Sequence, residues 1–481
     1  MNKQAVAHYL CRITSWGSLL FLIPALVSLF YGEWDALKAF LEVAIGVAVL
    51  SLPMAILKPK ESDMFAKEAL MIVALLWVIY PVAGALPFWL SGEIPSFVDA
   101  VFESVSGFTT TGSTILTDIE SMSHGMLFWR SFTHWVGGMG VLVLAIAILP
   151  ANKATMYLMR AECAGPQVGK LTPKGRTSAR YLYIIYGVLT VALTVLLILG
   201  GMPVFDSICH AMGTAGTGGF GIKNNGIAFY NSKYIEYVLT VGMIVFGVNF
   251  SIYYLILTGH IKTVLRNAEL RVYLIIILLA TGLIMGSNIL IHPDPEENFR
   301  SAVFQVSSIM TSTGFGTDDY ALWPEFSQMV LLMLMFIGAC AGSTGGGLKV
   351  QRIIIMFKSV KKFVRQTLSP KCVYVLKGED KTMDTATVHG VQTYFILYTG
   401  LLFISLLLVS FDNNDFATSF SSVVTCINNI GPGLNKVGPT QNFSFFSDFA
   451  KIILSFDMLL GRLECLPVIV MLSPSVWRNK F

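Results

Sequence analysis

TTTGST (109–114), GTGGFG (216–221), TSTGFG (311–316) and NNIGPG (428–433) align without gaps, each with a glycine at the fourth place. A semi-apolar stretch of 11–14 residues leads into each, beginning near Phe97, Phe205, Phe299 and Phe416. The lead-ins AVFESVSGF (100–108) and AVFQVSSIM (302–310) show that the first and third are copies of one unit; the second and fourth agree in spacing. Stretches of this length are too short to cross a bilayer and read as re-entrant helices. Longer apolar runs stand on both sides of every tract. The chain therefore contains an internal repeat, four times over: span, re-entrant helix, glycine-rich tract, span.

Working outward, apolar runs lie near 14–31, 38–57, 68–90, 126–149, 181–201, 235–258, 272–291, 327–347, 393–411 and 446–472, the last interrupted by Asp457, Arg462 and Glu464. Of 481 residues, 54% are hydrophobic and only 13% charged, against about 25% charged in a soluble domain. A soluble fold could not cover its surface with so little polar material. The expected class is an all-α polytopic membrane protein. Its parts are two N-terminal transmembrane helices (1–66) and pore repeats at 67–150, 179–260, 270–366 and 390–475, arranged around a central pore. The first run follows Lys3 and Arg12 and has no small-x-small cleavage site, so it reads as a span and not a removable signal. With the N-terminus in the cytoplasm, the cytoplasmic segments hold 25 of the 33 Lys and Arg residues. The positive-inside rule then places both termini in the cytoplasm. The net charge of +4 reports these loops and not nucleic-acid binding. Seven scattered cysteines without a CxxC pair argue against a disulfide framework and against a zinc or iron–sulfur site.

Irregular backbone survives at membrane depth only where it is buried in protein or lines a wet cavity. Four glycine-rich tracts in one chain thus point to one axis that they surround together. Glycine permits positive φ, which lets successive carbonyl oxygens turn the same way. Rings of backbone carbonyls can replace the hydration shell of a potassium-sized cation, and the C-terminal ends of the re-entrant helices favour positive charge.

The fourfold plan and the four tracts resemble the Trk/Ktr/HKT superfamily of potassium transporters. The two extra N-terminal spans, TTTGST, NNIGPG, HWVGGMG (134–140), GSTGGGLK (342–349) and GRLECLP (461–467) are similar to its bacterial TrkH/TrkG branch, over nearly the whole chain. The resemblance implies a selectivity filter with its glycines at Gly112, Gly219, Gly314 and Gly431. K+ would be held by carbonyls of Thr110, Thr111, Thr217, Gly218, Ser312, Thr313, Asn429 and Ile430. Glycine at 112, where some sodium-permeable plant members carry serine, agrees with potassium. Gly218 departs from the threonine of the first and third tracts, and leaves the register of the second tract open.

The segment GACAGSTGGGLK (338–349) interrupts the run after the third tract. Small residues there allow either close helix packing or an unwound loop. It is a near miss to a phosphate-binding loop, but Leu348 displaces the lysine and an apolar helix precedes it, so nucleotide binding is rejected. In the resembling family this place holds an intramembrane gate loop, implying Gly342, Ser343, Thr344, Gly345, Gly346 and Gly347 as its parts. Arg462 is an intramembrane charge, which faces the protein interior or a cavity. It reads either as a partner of Glu464 or Asp457 or, by the resemblance, as a fixed positive charge below the filter. Lys349 reads as a second such charge or as the first cytoplasmic lysine. His134 and His210 read as hydrogen-bonded structural groups. Glu103, Asp118, Glu120, Asp206, Asp318 and Asp319 read either as acids that draw cations to the outer mouth or as no more than a solvated surface.

The expected function is a potassium-selective ion-conducting subunit of a bacterial inner-membrane uptake system, with Rb+ as a permeant surrogate and no cofactor in the chain. A Na+- or H+-coupled symporter remains an alternative. An intramembrane enzyme is disfavoured, since no HExxH and no serine–histidine or paired-aspartate arrangement stands out. The nine Lys and Arg of 349–391 read either as an anchor on anionic lipid or as a docking surface. The resemblance implies a homodimer and a separate cytosolic nucleotide-binding (RCK-type) regulatory subunit.

Overall fold

The structure, a computed structural model, describes residues 2–57, 66–140, 175–369, 376 and 383–474. The basic segment expected at 150–180, up to residue 174, lies outside the described residues. So do the end of the 126–149 run, Cys163, Cys372 and most of 370–382.

All regular structure among the described residues is helical. Lys3–Gly17 (α1) and Leu22–Tyr31 (α2) are joined by a 3-10 turn and act as one apolar rod, followed by Trp34–Ile56 (α3) and Ala66–Leu90 (α4). The short helix Phe97–Phe108 (α5) leads into the first tract, and His124–Gly138 (α6) follows it. The second unit is Gly175–Leu199 (α7), Val204–Gly216 (α8), Lys233–Phe246 (α9), Phe250–Leu257 (α10) and Ile261–Arg266 (α11). The third is Ala268–Ser287 (α12), Pro295–Met310 (α13), Glu325–Ile337 (α14) and Val350–Leu368 (α15). Thr385–Val409 (α16), Phe416–Asn428 (α17), Asp448–Arg462 (α18) and Leu466–Leu472 (α19) complete the chain.

The re-entrant helices start where capping chemistry dictates. Ser96 caps α5, accepting from Asp99 N–H. Asp415 caps α17 through Thr418 N–H. Pro295 at the first turn, with Asp294 as cap and Glu296 and Glu297 behind it, starts α13 four residues before the Phe299 expected from hydropathy. A fixed φ at the first turn and acids facing the helix dipole outweigh apolarity there.

The interruption expected in the run after the third tract is present, and the runs after the second and fourth tracts are broken as well. Among the described residues six stretches are long and apolar enough to cross a membrane: Lys3–Tyr31, Trp34–Ile56, Lys67–Leu90, Ala179–Leu199, Ala268–Ser287 and Thr385–Asp412, or seven if the bent pair α9 and α10 counts as one span. The helix after each tract is short. α9 and α10 meet at 90°, α14 stops at Gly338 and helix resumes only at Val350, and α18 stops at Arg462 before α19. Two of the breaks pass through positive-φ positions, at Gly338, Gly342, Gly347 and Lys349 in one and at Glu464 and Cys465 in the other. Hydropathy does not register such breaks, because the residues in them are mostly small or apolar.

The repeats pack head to tail. Each helix that follows a tract packs on the re-entrant helix of the next unit: α6 on α8, α9 on α13, α14 on α17, and α18 back on α5. The circle closes in chain order. The N-terminal helices lie outside it, against α4 and α6. Tyr80 fills the space left by Gly17 and donates to Ile13 O at 3.0 Å.

Candidate functional site

The four re-entrant helices end in one and the same way. The N–H groups of Thr111, Gly218, Thr313 and Ile430 reach back five residues to the carbonyls of Ser106, Gly213, Ser308 and Thr425, at 2.8–3.0 Å. Those of Thr110, Thr217, Ser312 and Asn429 reach back three. This paired pattern needs a left-handed residue at its centre, a place glycine normally fills. Here Thr110, Thr217, Ser312 and Asn429 occupy it, with φ of 57, 53, 58 and 54°. Two residues later Gly112, Gly219, Gly314 and Gly431 have φ of 84, 76, 84 and 98°. Left-handed threonine is strained, and such strain persists where surrounding structure enforces it. The matching dihedrals place Gly219, and not Gly218, opposite the other three glycines.

These glycines are required for space as well as for φ. A Cβ on Gly112 would overlap the carbonyl oxygen of Gly218, one on Gly219 that of Thr313, and one on Gly314 that of Ile430; on Gly431 it would stand 2.8 Å from Thr111 O. Each tract thus touches the next through glycine and carbonyl, and the fourth touches the first. The structure brings all twelve candidate positions of the four tracts into one closed ring. Side chains tie the ring further: Ser113 Oγ donates to Gly431 O at 3.1 Å, and Asn429 Nδ2 to Thr111 Oγ1 at 2.9 Å.

The departure at Gly218 has a steric cause. Thr109 and Thr111 pair through their hydroxyls at 2.8 Å, as do Thr311 and Thr313 at 2.7 Å. In the second tract the imidazole of His134 takes that volume, and a Cβ on Gly218 would overlap the ring. His134 Nε2 accepts from Phe220 N–H at 3.2 Å and Nδ1 lies 2.8 Å from Gly107 O. These partners assign the tautomer with hydrogen on Nδ1.

Behind the ring, the segment 338–349 folds into a loop against the C-terminal ends of α13 and α17. A Cβ on Gly345 would stand 2.7 Å from Thr311 O, and one on Gly346 would overlap Asn428 O. Gly346 N–H donates to Ser312 Oγ at 2.6 Å. Gly342 and Gly347 supply positive φ, whereas Gly345 and Gly346 supply room. The loop is pinned at its far side by Thr344 Oγ1 to Phe246 O and by Phe250 N–H to Gly342 O. Glu269 Oε1 accepts from Ala341 N–H at 2.6 Å.

Arg462 closes the space between the loop and the first repeat. Its guanidinium donates to Thr344 O at 2.7 Å, to Gly137 O at 2.5 Å, to Gly138 O at 2.6 Å, and reaches Thr110 Oγ1 at 3.3 Å. Glu464 instead pairs with Arg352 of α15, and Asp457 accepts from Ser405 Oγ at 2.6 Å. Of the two readings of Lys349, that of the first cytoplasmic lysine is overturned, since the residue is buried. With φ of 72° it folds back so that Nζ donates to Gly345 O.

The outer acids are not one class. Glu103 is fully buried and pairs with Arg130 at 2.8 Å, which overturns its reading as a solvated mouth residue. Asp206 accepts from Tyr230 OH, and Asp318 from Ser301 and Trp323. Glu120 stays at the surface, where Asn224 N–H and Lys223 hold its carboxyl below the usual range. Arg130, Glu269 and Arg352 were missed by sequence reasoning. Arg130 carried a usable signal, a charge inside an apolar run. No group of three His, Cys, Asp or Glu side chains able to hold a metal occurs among the described residues.

Residues 39–479 match the family model of TrkH, a cation transport protein. The chain is 36% identical over 492 residues to the Trk system potassium uptake protein TrkH of Salmonella typhimurium, covering 100% of each. It is 34% identical to the Trk system potassium uptake protein TrkG of Escherichia coli, covering 98% of this chain and 99% of the relative. The crystal structure of the potassium transporter TrkH from Vibrio parahaemolyticus superposes with a TM-score of 0.89 at 31% identity, covering 99% of this chain and 100% of the other.

Proposed function

The chain belongs to the TrkH family of cation transport proteins, and from that premise we propose that it is the potassium-selective, ion-conducting subunit of an inner-membrane K+ uptake system. It is a multi-pass membrane transporter and not an enzyme. The observation that carries the reading is the closed ring of four tracts, each glycine backed against the next tract's carbonyl. Carbonyls of Thr110, Thr111, Thr217, Gly218, Ser312, Thr313, Asn429 and Ile430 take the place of water around K+, beside Gly112, Gly219, Gly314 and Gly431. The four helix C-termini add negative potential there.

The loop from Gly338 to Lys349 is the gate. It lies against the helix ends that carry the ring, and its hold depends on Arg462, Ser312 and Phe246. Arg462 places a fixed charge between loop and ring, which limits cation occupancy. A homodimer with both termini in the cytoplasm, regulated by a cytosolic nucleotide-binding RCK-type subunit acting through α15, completes the system. The ion pair between Arg352 of α15 and Glu464 supports that route, since it links the loop's exit helix to the end of the fourth repeat.

The test is 86Rb+ uptake into liposomes holding the purified protein, with K+ and Na+ as competitors, for wild type and Gly314→Ser. Uptake blocked by K+ and not by Na+, with discrimination lost in the variant, is the expected result. Uptake indifferent to the substitution overturns the filter assignment. A coupled symporter is favoured by one observation: Asp457 is fully buried in α18, and its Oδ2 has no hydrogen-bond partner among the described residues. A proton carrier at that place predicts uptake that collapses a pH gradient, and that ceases to do so in Asp457→Asn.

A further inference from the structure

We propose that Glu103, Arg130 and His134 of the first repeat are positioning residues that set ion specificity by holding the second tract in shape. The proposal rests on the filter reading above. The second tract has glycine at four of its six positions, so its backbone has more freedom than the others. It also lacks the threonine pair that stiffens the first and third. Its support comes from a neighbour.

Arg130 and His134 lie one turn apart on α6, hence on one face. Arg130 Nη1 donates to Gly221 O at 3.0 Å, and its guanidinium lies 4.2 Å over the Phe220 ring. His134 takes the Phe220 N–H, lies 4.2 Å from the same ring, and fills the side-chain space of Gly218. Phe220 is therefore gripped by both, and residues 218–221 are fixed from outside. The grip is anchored to the first tract. Arg130 Nε donates to Glu103 at 2.8 Å, while Glu103 accepts from Thr114 Oγ1 at 2.9 and 3.0 Å and from Ile115 N–H at 3.0 Å.

The places equivalent to Glu103, nine residues before each glycine, hold His210, Gln305 and Ser422. Gln305 donates to Asp318 O and Ser422 to Ser419 O. Of these four places, only the one in the first repeat carries an acidic side chain. A buried ion pair is poor evidence for stability. Its value here is geometric: it ties the second tract to the first.

The experiment compares wild type, Arg130→Lys, His134→Leu and Thr114→Val. One readout is the ratio of Na+ to K+ needed to halve 86Rb+ uptake. The other, independent of flux, is protection of the detergent-solubilised protein against thermal unfolding by K+ over Na+. Arg130→Lys keeps the charge but loses the fork that reaches Glu103 and Gly221 together. Na+ should gain about tenfold against K+ in it, as expected for one charge-assisted hydrogen bond, and about twofold to threefold in Thr114→Val. Thr114→Val leaves both charges paired, so it decides the matter should the other variants fail to fold. A selective wild type with folded variants equally selective overturns this proposal alone. A wild type with no preference for K+ in either readout removes the filter reading and this proposal with it.

Discussion

At the residue scale, the site is built on backbone conformations that most side chains refuse. Four non-glycine residues sit at left-handed φ, each two places before a glycine that also has positive φ. The glycines were legible as a pattern, since only four aligned tracts supply it. The reason for Gly218 was not, because the ring that excludes a side chain there belongs to His134, 84 residues away in sequence. Gly112→Ala must both adopt a forbidden φ and displace the Gly218 carbonyl. It should abolish K+-selective 86Rb+ uptake, whereas Gly187→Ala, which meets nothing within 4 Å, should leave uptake at the wild-type rate.

At the scale of elements, the decisive units are the short helices and the breaks between them. Asp415, at the start of α17, shows how firmly one cap is made. Thr418 Oγ1 and N–H, with Asn435, hold its carboxyl down to about 2. A depressed folded-state value means the stabilisation is present above the ordinary value of 3.8 and is lost as pH falls through about 2. Thermal unfolding of Asp415→Asn in detergent should therefore change less than that of wild type between about pH 4 and pH 2. The glycines of 338–349 offered an unwound loop beside close helix packing, and the structure has the loop. The kinks after Phe246 and Arg462 were not legible, since Val248, Leu463 and Cys465 look like helix interior. Gly346→Ala drives a methyl into Asn428 O and should displace the loop, raising 86Rb+ uptake in the absence of any cytosolic partner. Arg462→Ala, which releases Thr344 and the Gly137 and Gly138 carbonyls, should do the same. Uptake at or below the wild-type level in both would remove the loop as the gate.

At the scale of the whole molecule, the four repeats close into a circle that no single repeat specifies. The last contact is made by α18 on α5, and Lys451 of α18 donates to Asp99 in the first turn of α5 at 2.6 Å. Lys451→Met should lower stability by about 2 kcal/mol, the worth of a part-buried charge-assisted hydrogen bond. The effect is measured as a fall in the thermal midpoint, and a midpoint unchanged from wild type would show that the circle closes without that tie.

Composition, hydropathy and the fourfold spacing of the tracts were enough to determine the class, an all-α membrane protein, and which residues are brought to one place. These follow from local rules: apolar runs seek lipid, and short runs ending in glycine cannot cross it. Only the tertiary structure decided which glycine of the second tract aligns, which charges are paired, and where the second helices break. A charge is buried or solvated according to what packs on it, and the chain's order does not show which side chains the fold brings to it. Glu103 read as an outer acid and proved to be an internal anchor for Arg130. Lys349 read as open to a cytoplasmic role and proved to be folded into the loop.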